Sequence, residues 1–184
     1  MLYHYSEKPG IERFVPRQLQ RRPGFPAVVW ALHESSEFTY WFPRDCPRIV
    51  LRRTETLSEE NRERFFAHTD APAIVTIESG WYARLQACTL YRYSLPEELF
   101  ELFDRTAGYY IAKETVVPAQ VTVLTKLVDR LLEHGVELRL TPNLHPLREA
   151  ILASDFPDFG IYRFREAQPP ASGSGSMAPR PASI

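Results

Sequence analysis

Residues 2–17 read L-Y-H-Y-S-E-K-P-G-I-E-R-F-V-P-R, which sets a histidine inside an apolar and aromatic run near the start of the sequence. The alternation over Leu2 to Tyr5 predicts a short strand, and the Ser-Glu-Lys-Pro-Gly segment predicts the loop that ends it. Binding residues are common where a strand meets a loop. His4 is therefore the first candidate functional residue, with a hydrogen-bonded structural histidine as the alternative.

The composition is that of an ordinary globular protein. The 184 residues are 44% hydrophobic and 24% charged, with a formal net charge of -1, so the chain has no overall field that would attract nucleic acid or an anionic membrane. No apolar run approaches the roughly 20 residues of a membrane-spanning helix. Cys46 and Cys88 are too few for a disulfide framework, and the histidines show no metal-site spacing. We expect a cytoplasmic protein without a metal or a membrane partner.

Prolines and polar interruptions divide the chain into short elements. The pattern predicts about seven or eight short strands mixed with short helices, which indicates an α+β fold rather than a regularly alternating parallel sheet. Leu19 to Pro26, with two arginines, is predicted to be an exposed loop. Residues 166–184 are rich in Pro, Ser and Gly and cannot bury enough apolar area to offset their ordering entropy. The prediction is one domain, residues 1–165, followed by a disordered tail, residues 166–184.

The segment Y-H-Y-S-E-K-P-G, residues 3–10, resembles the first motif of ADP-ribosyltransferases of the diphtheria-toxin and poly-ADP-ribose-polymerase type. The resemblance implies a mixed or antiparallel split sheet with short peripheral helices, and NAD as cofactor. It also implies that His4 binds the nicotinamide-side ribose, with Ser6 and Arg44 on ribose or phosphate. In that superfamily two aromatic rings enclose nicotinamide. Trp30, in V-V-W-A-L, and Tyr40 with its neighbour Trp41, in S-S-E-F-T-Y-W-F, occupy the corresponding places in the order of elements, with core packing as the alternative.

The same superfamily carries a glutamate on a late strand. There the carboxylate bonds a ribose hydroxyl and stabilises the positive charge that develops at the anomeric carbon as nicotinamide leaves. Glu114 lies between two predicted strands at that late position, and Glu78, after A-I-V-T-I, is the other candidate. Each glutamate could equally be a solvated turn residue.

The chain as far as about residue 165 also resembles an uncharacterised bacterial domain family. That family is recognised by Y-H-(F/Y)-S-E near the start, by F-P-R-D-C-P-R, and by a later G-V-E-L-R-L-x-P-N-L, all of which this sequence contains. The match implies one intact domain and brings no known activity.

The segment F-P-R-D-C-P-R, residues 42–48, has two interpretations. Arg44 and Arg48 could hold a pyrophosphate and lower the pKa of the thiol of Cys46, or they could form an ion-pair cluster with Asp45. The predicted function is NAD binding with ADP-ribosyl transfer to an unknown acceptor. A non-catalytic module that binds a nucleotide or a nucleic-acid end is one alternative. A thiol hydrolase that pairs Cys46 with a histidine such as His33 or His68 is another.

Overall fold

The computed structural model describes residues 1–18 and 24–170. Most of the predicted basic loop, residues 19–23, and most of the predicted tail, residues 171–184, lie outside the described residues. The described chain forms one α+β domain built on two sheets. None of its helices is long and apolar enough to cross a membrane.

Ten strands and four α-helices make up the regular structure of the described residues. The strands are β1 (Leu2–Ser6), β2 (Val29–His33), β3 (Arg48–Arg52), β4 (Ala73–Glu78), β5 (Leu90–Leu95), β6 (Glu101–Asp104), β7 (Tyr109–Ala112), β8 (Gln120–Leu124), β9 (Val136–Thr141) and β10 (Phe159–Tyr162). The α-helices are α1 (Glu59–Phe66), α2 (Tyr82–Ala87), α3 (Leu127–Glu133) and α4 (His145–Leu152). Short 3₁₀ helices lie at Glu34–Tyr40, Ser79–Trp81, Glu97–Leu99 and Phe164–Glu166.

The two sheets differ in their pairing. The larger sheet has the order β6-β7-β2-β1-β5-β8, and all of its neighbours are antiparallel. The smaller sheet has the order β10-β3-β4-β9, in which β4 and β9 run parallel. Parallel neighbours need a long connection, and here the chain builds four strands of the larger sheet between β4 and β9.

Three apolar clusters hold the layers together. The central cluster lies between the sheets, because it joins Leu90 and Leu124 of the larger sheet to Val50, Val75 and Ile77 of the smaller one. The second covers the opposite face of the larger sheet, and the third packs α1 and α4 on the opposite face of the smaller sheet. Burial on both faces explains why β3 and β4 read as continuous apolar runs.

The predicted α+β fold with a split sheet and short peripheral helices is confirmed, with differences at some boundaries. The described residues form ten strands rather than about seven or eight, and one of them is the four-residue β6, which follows the 3₁₀ turn Glu97–Leu99. Strand β8 begins only at Gln120. Pro118 has no N–H for a ladder, and Val116 instead forms an isolated bridge with Phe14.

The hydroxyl of Tyr93 ties the loop after β1 to the larger sheet. Tyr93 is fully buried, and its hydroxyl donates to the carbonyl of Lys8 at 2.8 Å and accepts from the N–H of Ile11 at 3.1 Å. Tyr93→Phe leaves both backbone groups without their partner, so we expect urea denaturation to show a loss of about 1–3 kcal/mol in the free energy of unfolding. Tyr91→Phe, at a half-buried site on the same strand, is the control and should change it by less than about 0.5 kcal/mol. Equal effects of the two substitutions would contradict this account.

Candidate functional site

The register of the larger sheet decides which candidate residues share a face. Tyr3 lies opposite Leu32 in the pairing of β1 with β2. Because side chains alternate along a strand, Trp30 shares a face with Tyr3 and Tyr5, while His4 projects from the other face. The structure therefore does not bring the His4 and Trp30 side chains into one cleft.

Two contacts hold His4 on the face of the larger sheet opposite Trp30. Its Nδ1 lies 3.0 Å from the carbonyl oxygen of Trp30, and its ring packs 4.6 Å from the ring of Phe14. Burial lowers the pKa of His4, and the charges of Arg44 and Arg17 add to that effect. A neutral imidazole with a backbone partner and an aromatic neighbour fits the structural alternative for this residue.

Trp30 and Tyr40, the predicted nicotinamide pair, do lie in one group of rings. The ring of Tyr109 lies between them, 5.8 Å from Trp30 and 6.3 Å from Tyr40, and the hydroxyls of Tyr40 and Tyr109 are 2.8 Å apart. Tyr5 stacks on Tyr40 at 6.5 Å, and Tyr162 of β10 meets Tyr40 edge-on at 5.9 Å. We call these five residues the aromatic cluster. The cluster connects the larger sheet to the smaller sheet, because Tyr162 belongs to β10.

Two donors on this face lack a hydrogen-bond partner among the described residues. They are Nε1 of Trp30 and Nε of Arg92, and both atoms are buried. Nε1 of Trp41, in the central cluster, is also buried and without a partner among the described residues. Arg92 lies opposite Tyr5 in the pairing of β1 with β5, so it shares the face of Trp30. The two residues stand on strands two places apart, which puts their backbones about 10 Å from each other.

A carboxylate that the sequence analysis did not select belongs to the same site. Glu37, one 3₁₀ turn before Tyr40, accepts from the hydroxyl of Tyr5 at 2.5 Å and pairs with Nη1 of Arg92 at 3.2 Å. Its side chain is 13% exposed. Burial raises the pKa of Tyr5, and the hydrogen bond to Glu37 adds to the rise, so the phenol stays protonated and donates. The i, i+3 spacing from Tyr40 was the sequence signal that could have identified Glu37.

Arg48 is a buried cation rather than part of an ion-pair cluster. Its Nε donates to the carbonyl of Thr39 at 2.7 Å and its Nη1 to that of Cys46 at 2.9 Å. The guanidinium carbon lies 4.8 Å from the ring centre of Tyr162, 5.1 Å from Phe42 and 5.4 Å from Tyr40. Burial lowers its pKa, but arginine stays charged in proteins. Among the ion pairs of the described residues there is none between Arg48 and Asp45, so that alternative is not formed.

The interpretation in which the arginines of residues 42–48 lower the pKa of the Cys46 thiol does not hold. Cys46 is fully buried, and its Sγ contacts the carbonyl oxygen of Pro47 at 3.7 Å. Burial raises the pKa of the thiol to about 12, and the nearby positive charge of Arg48 only partly opposes this. A buried protonated thiol is a poor nucleophile, so the structure gives the hydrolase hypothesis no support.

Alkylation tests this account of Cys46. At pH 8 we expect iodoacetamide to modify Cys46 at least tenfold more slowly in the folded protein than in urea, because the thiolate is the reactive form. Cys88, which is half-buried with a pKa raised to about 11, is the internal control and should react sooner. Mass spectrometry of the two cysteine peptides gives both rates. Rapid modification of native Cys46 would contradict its placement in the core.

The remaining predicted residues surround the loop after β1 and the end of β7. Ser6 accepts from the N–H of Lys8 at 3.0 Å and so shapes that loop. The backbone N–H of Arg44 donates to Glu7 at 2.6 Å. Glu114 is exposed in the bend that follows β7, and no hydrogen bond or ion pair of the described residues involves it. No hydrogen bond, ion pair or ring contact of the described residues joins the side chains of these three to a ring of the aromatic cluster.

Comparison with known proteins now adds a family. A family model described as "Family of unknown function (DUF6886)" matches residues 3–167 of the chain. The chain belongs to this family. The family domain contains the whole aromatic cluster together with Glu37, Arg48 and Arg92. A search of curated proteins and a search of solved structures found no match.

Glu78, the alternative catalytic carboxylate, lies at a different place in the family domain. It is 2% exposed at the end of β4, and its oxygens accept from the backbone N–H groups of Leu144 and Gln168. A cavity of 590 Å³ adjoins it, lined by Glu78, Gly80, Trp81, Pro142, Asn143, Gln168, Pro169 and Pro170. The predicted tail therefore begins with residues that contact the domain, and Gln168 follows directly after the last residue matched by the family.

Proposed function

We propose that this protein binds NAD, or a nucleotide of the same construction, on the face of the larger sheet that carries the aromatic cluster. The observation that carries the proposal is the grouping of Trp30 and Tyr40 around Tyr109, with Nε1 of Trp30 buried and without a partner among the described residues. Flat heterocycles stack on such rings, and a buried donor without a partner favours a ligand that supplies an acceptor.

The neighbouring charged groups suit the other parts of a dinucleotide. Arg92, whose Nε has no hydrogen-bond partner in the described part of the chain, can donate to a phosphate oxygen, and the buried charge of Arg48 makes the site more favourable for an anion. The carboxylate of Glu37 is an acceptor for ribose hydroxyls. Phe103, which packs edge-on against Trp30 at 5.1 Å and is 38% exposed, widens the apolar surface for a base.

ADP-ribosyl transfer is the second candidate, and Glu37 is the residue that favours it. In that reaction the bond between nicotinamide and the ribose breaks, and nicotinamide leaves with the electron pair. A nucleophilic atom of the acceptor then forms a bond to the anomeric carbon and releases its proton. A carboxylate stabilises the positive charge that develops there. Glu37 lies within the aromatic cluster, whereas Glu114 is exposed outside it. We therefore assign the transition-state role, if the protein is a transferase, to Glu37.

Calorimetry with NAD, ADP-ribose, nicotinamide and AMP tests the binding proposal. NAD is expected to bind, and at 100 times its dissociation constant it should add about 2.7 kcal/mol to the free energy of unfolding. Absence of heat and of stabilisation with all four ligands would overturn the proposal. Release of nicotinamide from NAD, followed by chromatography, separates a transferase from a non-catalytic binding module. Glu37→Gln should abolish that release and leave NAD binding within about tenfold of the wild-type affinity.

A further inference from the structure

A three-residue segment, Gln168–Pro170, lies across the cavity beside Glu78, and we call it the strap. The N–H of Gln168 donates to both carboxylate oxygens of Glu78 at 3.0 Å. The side-chain Nδ2 of Asn143 donates to the carbonyl of Pro169 at 2.8 Å. Both contacts are hydrogen bonds to backbone groups of the strap. Any peptide of similar shape has the same backbone groups, so the domain could hold it in the same way.

The groups that hold the strap are fixed by the fold itself. Glu78 and Thr141 end the parallel pair β4 and β9, and a crevice outside the carboxyl ends of parallel strands is a common ligand site. The carboxylate of Glu78 is also anchored by the N–H of Leu144 at 3.3 Å. The Oδ1 of Asn143 accepts from the N–H of His145 at 2.8 Å, which orients its Nδ2 toward the strap.

The lining of the cavity matches the side chains of the strap. Trp81 and Pro142 provide an indole and a pyrrolidine ring on the domain side, and the strap contributes Pro169 and Pro170. Aromatic-lined grooves bind proline segments well, because such segments are already extended and lose little entropy on docking. A volume of 590 Å³ is left beside the strap, which is room for larger side chains than the strap supplies.

We infer that this groove is a docking site for an extended proline-containing peptide of a partner protein, and that the strap occupies it in cis. The family match ends at residue 167, and Glu78, Trp81, Pro142 and Asn143, which line the groove opposite the strap, all lie within it. The strap is covalently attached beside the groove. It therefore competes with a free peptide at an effective concentration in the millimolar range. A partner peptide that displaces it must exceed that competition.

A full-length variant with the strap replaced, Gln168→Gly with Pro169→Gly and Pro170→Gly, tests the inference. The probe is a labelled peptide E-A-Q-P-P-A-S, the sequence of residues 166–172. Fluorescence anisotropy should give a dissociation constant below about 1 mM for the variant, since a weaker segment would not hold its place in cis. Wild-type protein should bind at least tenfold more weakly. The matched peptide E-A-Q-A-A-A-S keeps the backbone contacts but loses the proline rings and their extended shape, so it should bind at least fivefold more weakly.

Two further measurements keep the test decisive. Asn143→Ala, added to the strap variant, should weaken the peptide about fivefold through the lost hydrogen bond, while thermal melting confirms an intact fold. In the wild-type chain, excess peptide should speed hydrogen exchange at the amide of Gln168, which leaves Glu78 on displacement. Equal binding of the proline and alanine peptides, or no binding by a strap variant that melts like wild type, overturns the inference.

Discussion

Arg48→Ala is expected to lower the free energy of unfolding by about 3 kcal/mol or more. The substitution removes a side chain that is 3% exposed and packs against three aromatic rings, which leaves a cavity between the sheets. It also leaves the carbonyls of Thr39 and Cys46 without their donors in a region closed to water. Urea denaturation followed by circular dichroism measures the change.

Arg48→Met is the matched control for that substitution. Methionine preserves most of the aliphatic stem and so fills part of the cavity, and it removes the cost of burying a charge. We expect the loss of stability to be at least about 1 kcal/mol smaller than for alanine. Both variants should lose affinity for an anionic nucleotide, because the positive charge is gone. An alanine variant within about 0.5 kcal/mol of the wild type would show that the guanidinium is not packed as described.

Trp30→Ala is expected to weaken NAD binding about tenfold or more. Stacking of a base on an aromatic side chain contributes about 1–3 kcal/mol, and the substitution also removes the unpaired indole donor. Isothermal titration gives the affinity directly. Trp30→Phe keeps a ring and loses the donor, so its affinity should fall between those of the alanine variant and the wild type.

Trp81→Ala is the control for the Trp30 substitutions. Trp81 is also a half-buried tryptophan, but it lies beside Glu78 and the strap rather than in the aromatic cluster. Its removal should leave NAD affinity unchanged within about twofold. If Trp81→Ala weakened NAD binding as much as Trp30→Ala, the assignment of the nucleotide site to the aromatic cluster would be wrong. The cavity beside Glu78 would then become the candidate nucleotide site.

The sequence predicted β1 correctly but could not place its histidine. Alternation within Leu2–Ser6 shows that His4 and Tyr5 face opposite ways, yet it does not tell which of them shares a face with Trp30. That depends on the register, in which Tyr3 meets Leu32 across a connection of more than twenty residues. The order of elements sufficed to group Trp30 with Tyr40, because both belong to one stretch of chain.

The sequence also could not predict contacts between residues that are far apart along the chain. Composition predicted disorder from residue 166, but the N–H of Gln168 meets a carboxylate 90 residues earlier in the chain. Arg48 looked like a ligand or an ion-pair residue because its immediate neighbours are Arg44 and Asp45, whereas Tyr162 from the far end of the domain covers it. No local pattern carries such pairings, since they arise where β10 and the residues after it return to β3 and β4 from the far end of the domain.

The indole N–H resonances of the three tryptophans test the central claim most directly. In a ¹⁵N-labelled sample titrated with NAD, the resonance of Trp30 Nε1 should move the most, because the ligand gives that buried donor its acceptor. The resonance of Trp81, beside the strap, should stay nearly fixed. A titration in which the Trp30 resonance does not move, or in which that of Trp81 moves instead, would contradict the assignment of the aromatic cluster as the nucleotide site.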